Sequence, residues 1–339
     1  MKCAAIYKPG DVRFEERPIP CVGSDDVLIK VKHVGVCGSD VHLYKGVWDI
    51  KMSPLVLGHE SAGIVIETGE NIKHLHKGDV VAIEPAVPCG TCEYCRTGRY
   101  NLCLDVVCMA DNMDGAFSEY VVHNGHYVYA LPDNMDTLDG ALLEPLAVGM
   151  YAVAHSGAKA GQSAFVFGCG CIGIMTMLSL KSIGVTEIYM ADIIPMRMEK
   201  AKEMGATRVF DFSSCDIVEA INKIKGTCGV DMVYDATGSN NAISSAVSIV
   251  KRGGVVTFVG IMGGNIPFDF SRIPRDAWLT TTFRYRNNYG DAIKAVQNGL
   301  INLKPVVTNI FPFDKVDEAL EYCSVNAAKS VKTVIEFNA

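Results

Sequence analysis

Four thiols crowd one short stretch of the chain: Cys89-Gly90-Thr91-Cys92-Glu93-Tyr94-Cys95, with Cys103 close behind and Cys108 a nearby spare. Three of them are spaced C-x2-C-x2-C, and thiolates grouped this way hold zinc in a closed set with no position for water. That is structural chemistry. A ferredoxin-type iron–sulfur run has related spacing, but no proline follows Cys103 and no second cluster accompanies it. A more open set comes earlier, in Gly35-Val36-Cys37-Gly38-Ser39-Asp40-Val41-His42 and Leu57-Gly58-His59-Glu60. One thiolate (Cys37), one imidazole (His59) and one carboxylate (Glu60) suit a catalytic zinc that keeps a position for substrate. Singly, Cys37 reads as a buried thiol and His59 as a turn or core residue; together they read as ligands. A further carboxylate, Glu144, lies in the apolar run Gly140–Val148, where burial is costly unless it is paired or metal-bound. Because proline favours the first helical position, Pro145 is expected to open a helix with Glu144 at its mouth. The plainer alternative for Glu144 is an N-terminal helix charge.

The elements that position a second chemistry run from Ala164 to Asp192. Ala164-Phe165-Val166-Phe167 is short, apolar and β-prone, and it leads into Gly168-Cys169-Gly170-Cys171-Ile172-Gly173. This is G-x-G-x-x-G between a strand and a helix, the fingerprint of dinucleotide binding. Gly168 permits the tight turn, Gly170 lets backbone approach a pyrophosphate, and Gly173 lets the helix pack closely. Cys171 and Ile172 open that helix, where the phosphates sit on its N-terminus. Cys169 and Cys171 read as small turn residues that a helix N-terminus could make oxidisable. A second strand, Glu187–Ala191, ends at Asp192, placed to bind the ribose hydroxyls of NAD and to repel the 2′-phosphate of NADP. Arg197 is expected along the adenine side.

Around these motifs, Cys3 to about Gly125 alternates in short strands punctuated by Gly and Pro, a β-rich pattern. A helical region follows Leu131-Pro132, and from Gly161 to about Thr282 strands alternate with helices as in βαβ units. The tail carries one or two helices and a last strand, Val331–Phe337. The domains expected are 1–148, with the cysteine lobe 89–103, then 149–283, then a return at 284–339. With 339 residues, 49% of them hydrophobic, the chain can bury two cores. A net charge of −7 without a lysine or arginine cluster gives no footprint for nucleic acid. Neither a membrane span nor a signal peptide is read, so a cytosolic protein is expected. Thirteen cysteines then point to metal ligands and buried thiols rather than disulfides. His33, His74, His76, His123, His126 and His155 read as surface or packing residues.

Cys37-Gly38-Ser39-Asp40, Gly58-His59-Glu60, the four-cysteine lobe, Glu144 and the glycine fingerprint, in this order, resemble the zinc-containing medium-chain dehydrogenase/reductase superfamily over essentially the whole chain. Within it, Asp114-Gly115-Ala116-Phe117, Glu144–Gly149 and Phe283-Arg284-Tyr285-Arg286-Asn287-Asn288-Tyr289 look like the sorbitol (L-iditol 2-) and xylitol dehydrogenases. The resemblance implies an α/β fold, a Rossmann-type doubly wound parallel sheet plus a β-rich GroES-like catalytic domain that the C-terminal tail completes. It implies a catalytic zinc served by Cys37, His59 and Glu60, with Glu144 standing where simple alcohol dehydrogenases carry a second cysteine. Which carboxylate binds directly and which through water stays open. It also implies Arg284 near the nicotinamide and substrate hydroxyls, Tyr285 in the same catalytic segment, and a homo-oligomer, dimer or tetramer. The expected activity is reversible, NAD-linked oxidation of a secondary alcohol on a polyol, with Ser39 taking the proton and His42 passing it to water. Leu43-Tyr44 after His42, where many sorbitol dehydrogenases place an aromatic directly, and the missing proline after Tyr289 leave the substrate open. Threonine, a butanediol, a sugar acid and a sugar phosphate are the competing substrates. A non-catalytic zinc- and NAD-binding protein is the competing class.

Overall fold

The computed structural model describes residues 1–261 and 269–337. Its contacts divide the chain into Met1–Glu144 with Tyr289–Ala339, and Pro145–Asn288. The breaks thus fall at 144/145 and 288/289, against 148/149 and 283/284 read from sequence.

The first unit is built on strand Asp26–Val36, which sends Val27–Ile29, Val31 and Val34–Val36 into the core. Three strands pair with it antiparallel: Glu60–Thr68, Tyr120–Asn124 and Lys332–Glu336. The last of these arrives from the far end of the chain, which is how the tail completes this unit. Register sets Gly35 opposite both Glu60 and Val334. A side chain at Gly35 would displace the Glu60 carboxylate, since a Cβ there would lie 2.0 Å from Glu60 Oε2. Beyond this sheet, Lys2–Lys8 pairs with Asp11–Glu16 and Leu55–Val56 over the same core, which includes Ile6, Ile29, Leu57 and Phe117.

The second unit is a six-stranded parallel sheet in the order Arg208–Asp211, Glu187–Asp192, Ser163–Phe167, Val230–Asp235, Val250–Phe258, Trp278–Thr281. In chain sequence that is 3-2-1-4-5-6, the doubly wound order, with its reversal beside Ser163–Phe167. Strand Ser163–Phe167 is buried at every position, as a central parallel strand covered on both faces must be.

One helix departs from expectation. Pro145 does not open a helix: it lies inside Thr137–Ser156, so Glu144 is mid-helix. The start is fixed upstream by Asp136, whose carboxylate accepts from Leu138 N and Asp139 N, both at 3.0 Å, while Asp139 Oδ2 accepts from Asp136 N at 3.2 Å. That reciprocal cap and the buried run Ala141–Ala147 outweigh the hydrogen bond that proline removes from Ala141 O. No helix among the described residues is long and apolar enough to cross a membrane.

Candidate functional site

The four cysteines converge. Cys89, Cys92, Cys95 and Cys103 each offer a sulfur within 4.8 Å of the others, with Cys92–Cys95 at 3.5 Å and Cys89–Cys95 at 3.9 Å. Sulfurs at about 2.3 Å from a tetrahedral zinc stand about 3.8 Å apart, so the spacing suits a shared ion. All four are free thiols. Hydrogen bonds from Cys92 N and then Thr91 draw the Cys89 thiol down to about 6, while burial pushes Cys95 up to about 12. The lobe is tied to the β-rich unit through Glu84, which is buried and accepts from Tyr100 OH in the lobe and Tyr129 OH on strand Val128–Ala130, both at 2.8 Å. Cys92→Ser should lower the melting temperature by about 5–10 °C, the equivalent of a few kcal/mol in a domain of this size, before it touches turnover. An equally stable variant with full zinc content contradicts that division.

The open set converges too. Cys37 follows strand Asp26–Val36 and precedes the short helix Gly38–Tyr44. Asp40 in that helix accepts from Cys37 N at 2.8 Å and from Gly58 N at 3.2 Å, pinning together the two loops that carry Cys37 and His59. Cys37, His59 and Glu60 then offer atoms within 4.8 Å of one another. Burial opposes a charged His59 ring, but Cys37, then Asp40 and Glu144, outweigh it and hold its pKa well above the ordinary range. Anionic charge concentrated on a half-buried ring is the setting a divalent cation would relieve. Glu144 is buried nearby. On the helix, Ser39 and His42 are three residues apart and share a face. His42 packs against Trp48, centroids 4.8 Å apart with the rings tilted by 32°, and burial followed by Lys45 lowers its pKa.

In the second unit the glycine turn joins Ser163–Phe167 to helix Cys171–Ser182, so Cys171 and Ile172 form its first turn. Gly168 has φ +97°, and a Cβ on Gly173 would lie 1.9 Å from Gly168 O. At Gly170 a Cβ would meet only Arg197 Nη1, at 3.7 Å, so the backbone there faces open space beside a cation. Asp192 ends its strand with Oδ2 accepting from Cys169 N at 2.7 Å and Oδ1 from Ile193 N and Ile194 N at 2.7 and 2.9 Å. The carboxylate is fixed beside the turn, and these residues fit a dinucleotide.

Residues 23–133 match the alcohol dehydrogenase GroES-like domain, and residues 171–298 match the zinc-binding dehydrogenases. A sorbitol dehydrogenase of Bacillus subtilis is 36% identical over 95% of this chain and 93% of its own. The chain belongs to the zinc-binding dehydrogenase family. Among solved structures, an oxidoreductase/dehydrogenase of unknown specificity from Escherichia coli superposes with a TM-score of 0.96 at 38% identity, covering 100% of both chains. A 2R,3R-butanediol dehydrogenase of Bacillus subtilis superposes at 0.92 with 30% identity, covering 99% of both.

In this zinc-binding dehydrogenase, Phe283–Tyr289 carries local strain. Arg284 and Asn287 have φ of +51° and +53°, conformations costing of order 1 kcal/mol or more in a residue with a side chain. Arg284 Nη1 is buried without a hydrogen-bond partner among the described residues, a donor left available to a ligand. Its guanidinium stands 5.1 Å from the Phe283 ring centroid, and Tyr285 is buried beside it in sequence. Sequence reading missed the loop-pinning role of Asp40, although its place three residues after Cys37 is a capping-box signal. It also missed Lys332, which contacts Glu60 and has no local signature.

Proposed function

We propose that this protein is a zinc- and NAD-dependent polyol dehydrogenase, oxidising a secondary alcohol such as that of sorbitol, L-iditol or xylitol to a ketone, and reversible with NADH. The observation that carries this is the open set Cys37, His59 and Glu60 standing apart from a closed four-thiol set, in a chain that also carries a dinucleotide turn. When bound, zinc supplies Lewis acidity to the alcohol oxygen and the nicotinamide accepts the carbinol hydrogen with its electron pair. Cys37, His59 and Glu60 hold the ion, with Glu144 adding charge beside them. Arg284 Nη1 offers the donor for a substrate or cofactor oxygen, with Tyr285 next to it. Ser39 accepts the substrate proton and His42, kept neutral by its burial, receives it for release to water. The cytosol is the compartment that suits free thiols of this number. A dimer or tetramer belongs to the same reading, and edge strand Trp278–Thr281 leaves Trp278 and Leu279 exposed for association.

Since burial lowers the pKa of His42, the acid limb of kcat/KM should fall below pH 6.5, where the ring begins to protonate. His42→Ala should shift that limb and lower kcat by roughly tenfold, less than loss of a general base because water can replace a relay. An unchanged limb removes His42 from the relay. Substrate choice is tested by kcat/KM with NAD on sorbitol, xylitol, 2,3-butanediol, threonine, a sugar acid and a sugar phosphate. The polyols should lead; a butanediol or sugar phosphate ahead of them would reassign the substrate while keeping the enzyme class.

A further inference from the structure

Glu60 has a partner that metal binding alone does not call for. Lys332, first residue of strand Lys332–Glu336, is 3% exposed and donates to both oxygens of Glu60, at 2.8 Å to Oε1 and 2.5 Å to Oε2, and to Val36 O at 3.1 Å. The same carboxylate offers an atom within 4.8 Å of Cys37 and His59. One anion therefore lies within reach of both an ammonium and the open ligand set. Desolvating a lysine is costly, and a buried ion pair is often no more stable than apolar residues of the same volume. The strands also make room for it, because only a glycine at 35 admits Glu60 Oε2 to this position. A buried pair of a kind that often adds no stability over apolar residues, built beside the ligands, points to a role in tuning them.

We propose that Lys332 is a positioning residue, which fixes the Glu60 carboxylate against Cys37 and His59 and withdraws part of its negative charge so that a cation held there stays electrophilic. This rests on the zinc reading of that set. Negative charge from thiolate and carboxylate strengthens ion binding but weakens the ion as a Lewis acid, and partners behind the ligands set the balance. An ammonium on both carboxylate oxygens shifts it toward electrophilicity. Removing that positive charge while keeping Glu60 should therefore tighten zinc and slow the chemistry together. A lysine that merely joined strands would, when lost, loosen zinc as the unit weakened.

The test compares wild type with Lys332→Met, Lys332→Gln and Lys332→Arg. Zinc affinity of the zinc-depleted proteins is read by competition with a chromogenic chelator, the open set being assigned with Cys37→Ala, and the visible spectrum is recorded with cobalt in place of zinc. Both neutral variants should bind zinc there about tenfold or more tightly, from the loss of a nearby positive charge. Their kcat should fall about ten- to a hundredfold, with KM for NAD unchanged and an altered cobalt spectrum. Lys332→Arg should stay near wild type in all three. Should Lys332→Met not fold, Lys332→Gln decides, because its amide keeps a polar donor at this buried position but carries no charge. Neutral variants that bind zinc as wild type does or more weakly, or that keep wild-type kcat, overturn the proposal. A wild type whose zinc binding is unaffected by Cys37→Ala overturns the zinc reading itself, a separate outcome of the same titration.

Discussion

Cys37→Ala and His59→Ala should each lose about a thousandfold or more in kcat while the protein stays folded and still binds NADH. Lewis acidity is worth several kcal/mol of barrier, and each 1.4 kcal/mol is tenfold, so losing the ion's grip removes that much at once. The dinucleotide residues Gly168, Gly170, Gly173 and Asp192 lie in Pro145–Asn288, a unit distinct from the one that holds Cys37 and His59, which is why cofactor binding should survive. Three measurements check this: turnover on one good polyol, NADH fluorescence on binding, and a thermal melt. Near-normal turnover in either variant, with its zinc depleted, makes the catalytic assignment of these residues wrong.

Asp192→Ala should weaken NAD in kcat/KM by about ten- to a hundredfold, since hydrogen bonds to a charged acceptor are worth roughly 1.5–3 kcal/mol, and should relax discrimination against NADP. In the protein the carboxylate is held by three backbone N–H groups, so its removal also frees Cys169 N, Ile193 N and Ile194 N. Asp192→Asn restores part of the backbone's partners. It drops the charge and keeps one accepting oxygen, enough for Ile193 N and Ile194 N but not also for Cys169 N, so its turn should be less perturbed than in Asp192→Ala while its rejection of NADP weakens. Arg197, with Nη1 close to the turn at Gly170, is then placed to meet the extra phosphate. A wild type that uses NADP as well as NAD, or an Asp192→Ala variant of unchanged preference, assigns cofactor choice to another residue.

What could be read from the chain without its fold was whatever is written in short spacing. The four cysteines fall within one lobe, and the glycine turn follows its strand and precedes its helix directly, so local sequence sufficed for both. The doubly wound sheet was legible for the same reason, each strand and helix announcing itself in turn. Pro145 was misread because a strong local preference was weighed alone, while the cap at Asp136 and the buried face of Thr137–Ser156 decided the helix together. Lys332 was out of reach for a different reason. It stands 272 residues from Glu60, and only the register of three paired strands brings the two together. The same holds for Glu84, an acid in a run of strand residues whose two phenol partners become visible only when Tyr100 and Tyr129 are folded around it.

The most direct measurement is zinc content taken together with NADH formation from NAD and sorbitol or xylitol, before and after a chelator strips the more labile metal. The expected result is about two zinc per chain, NADH formed from at least one polyol, and that activity lost with the labile zinc and regained on its return, while the four-cysteine zinc stays bound. One tightly held zinc with no turnover of any polyol, or turnover that persists once the labile metal is gone, would contradict it.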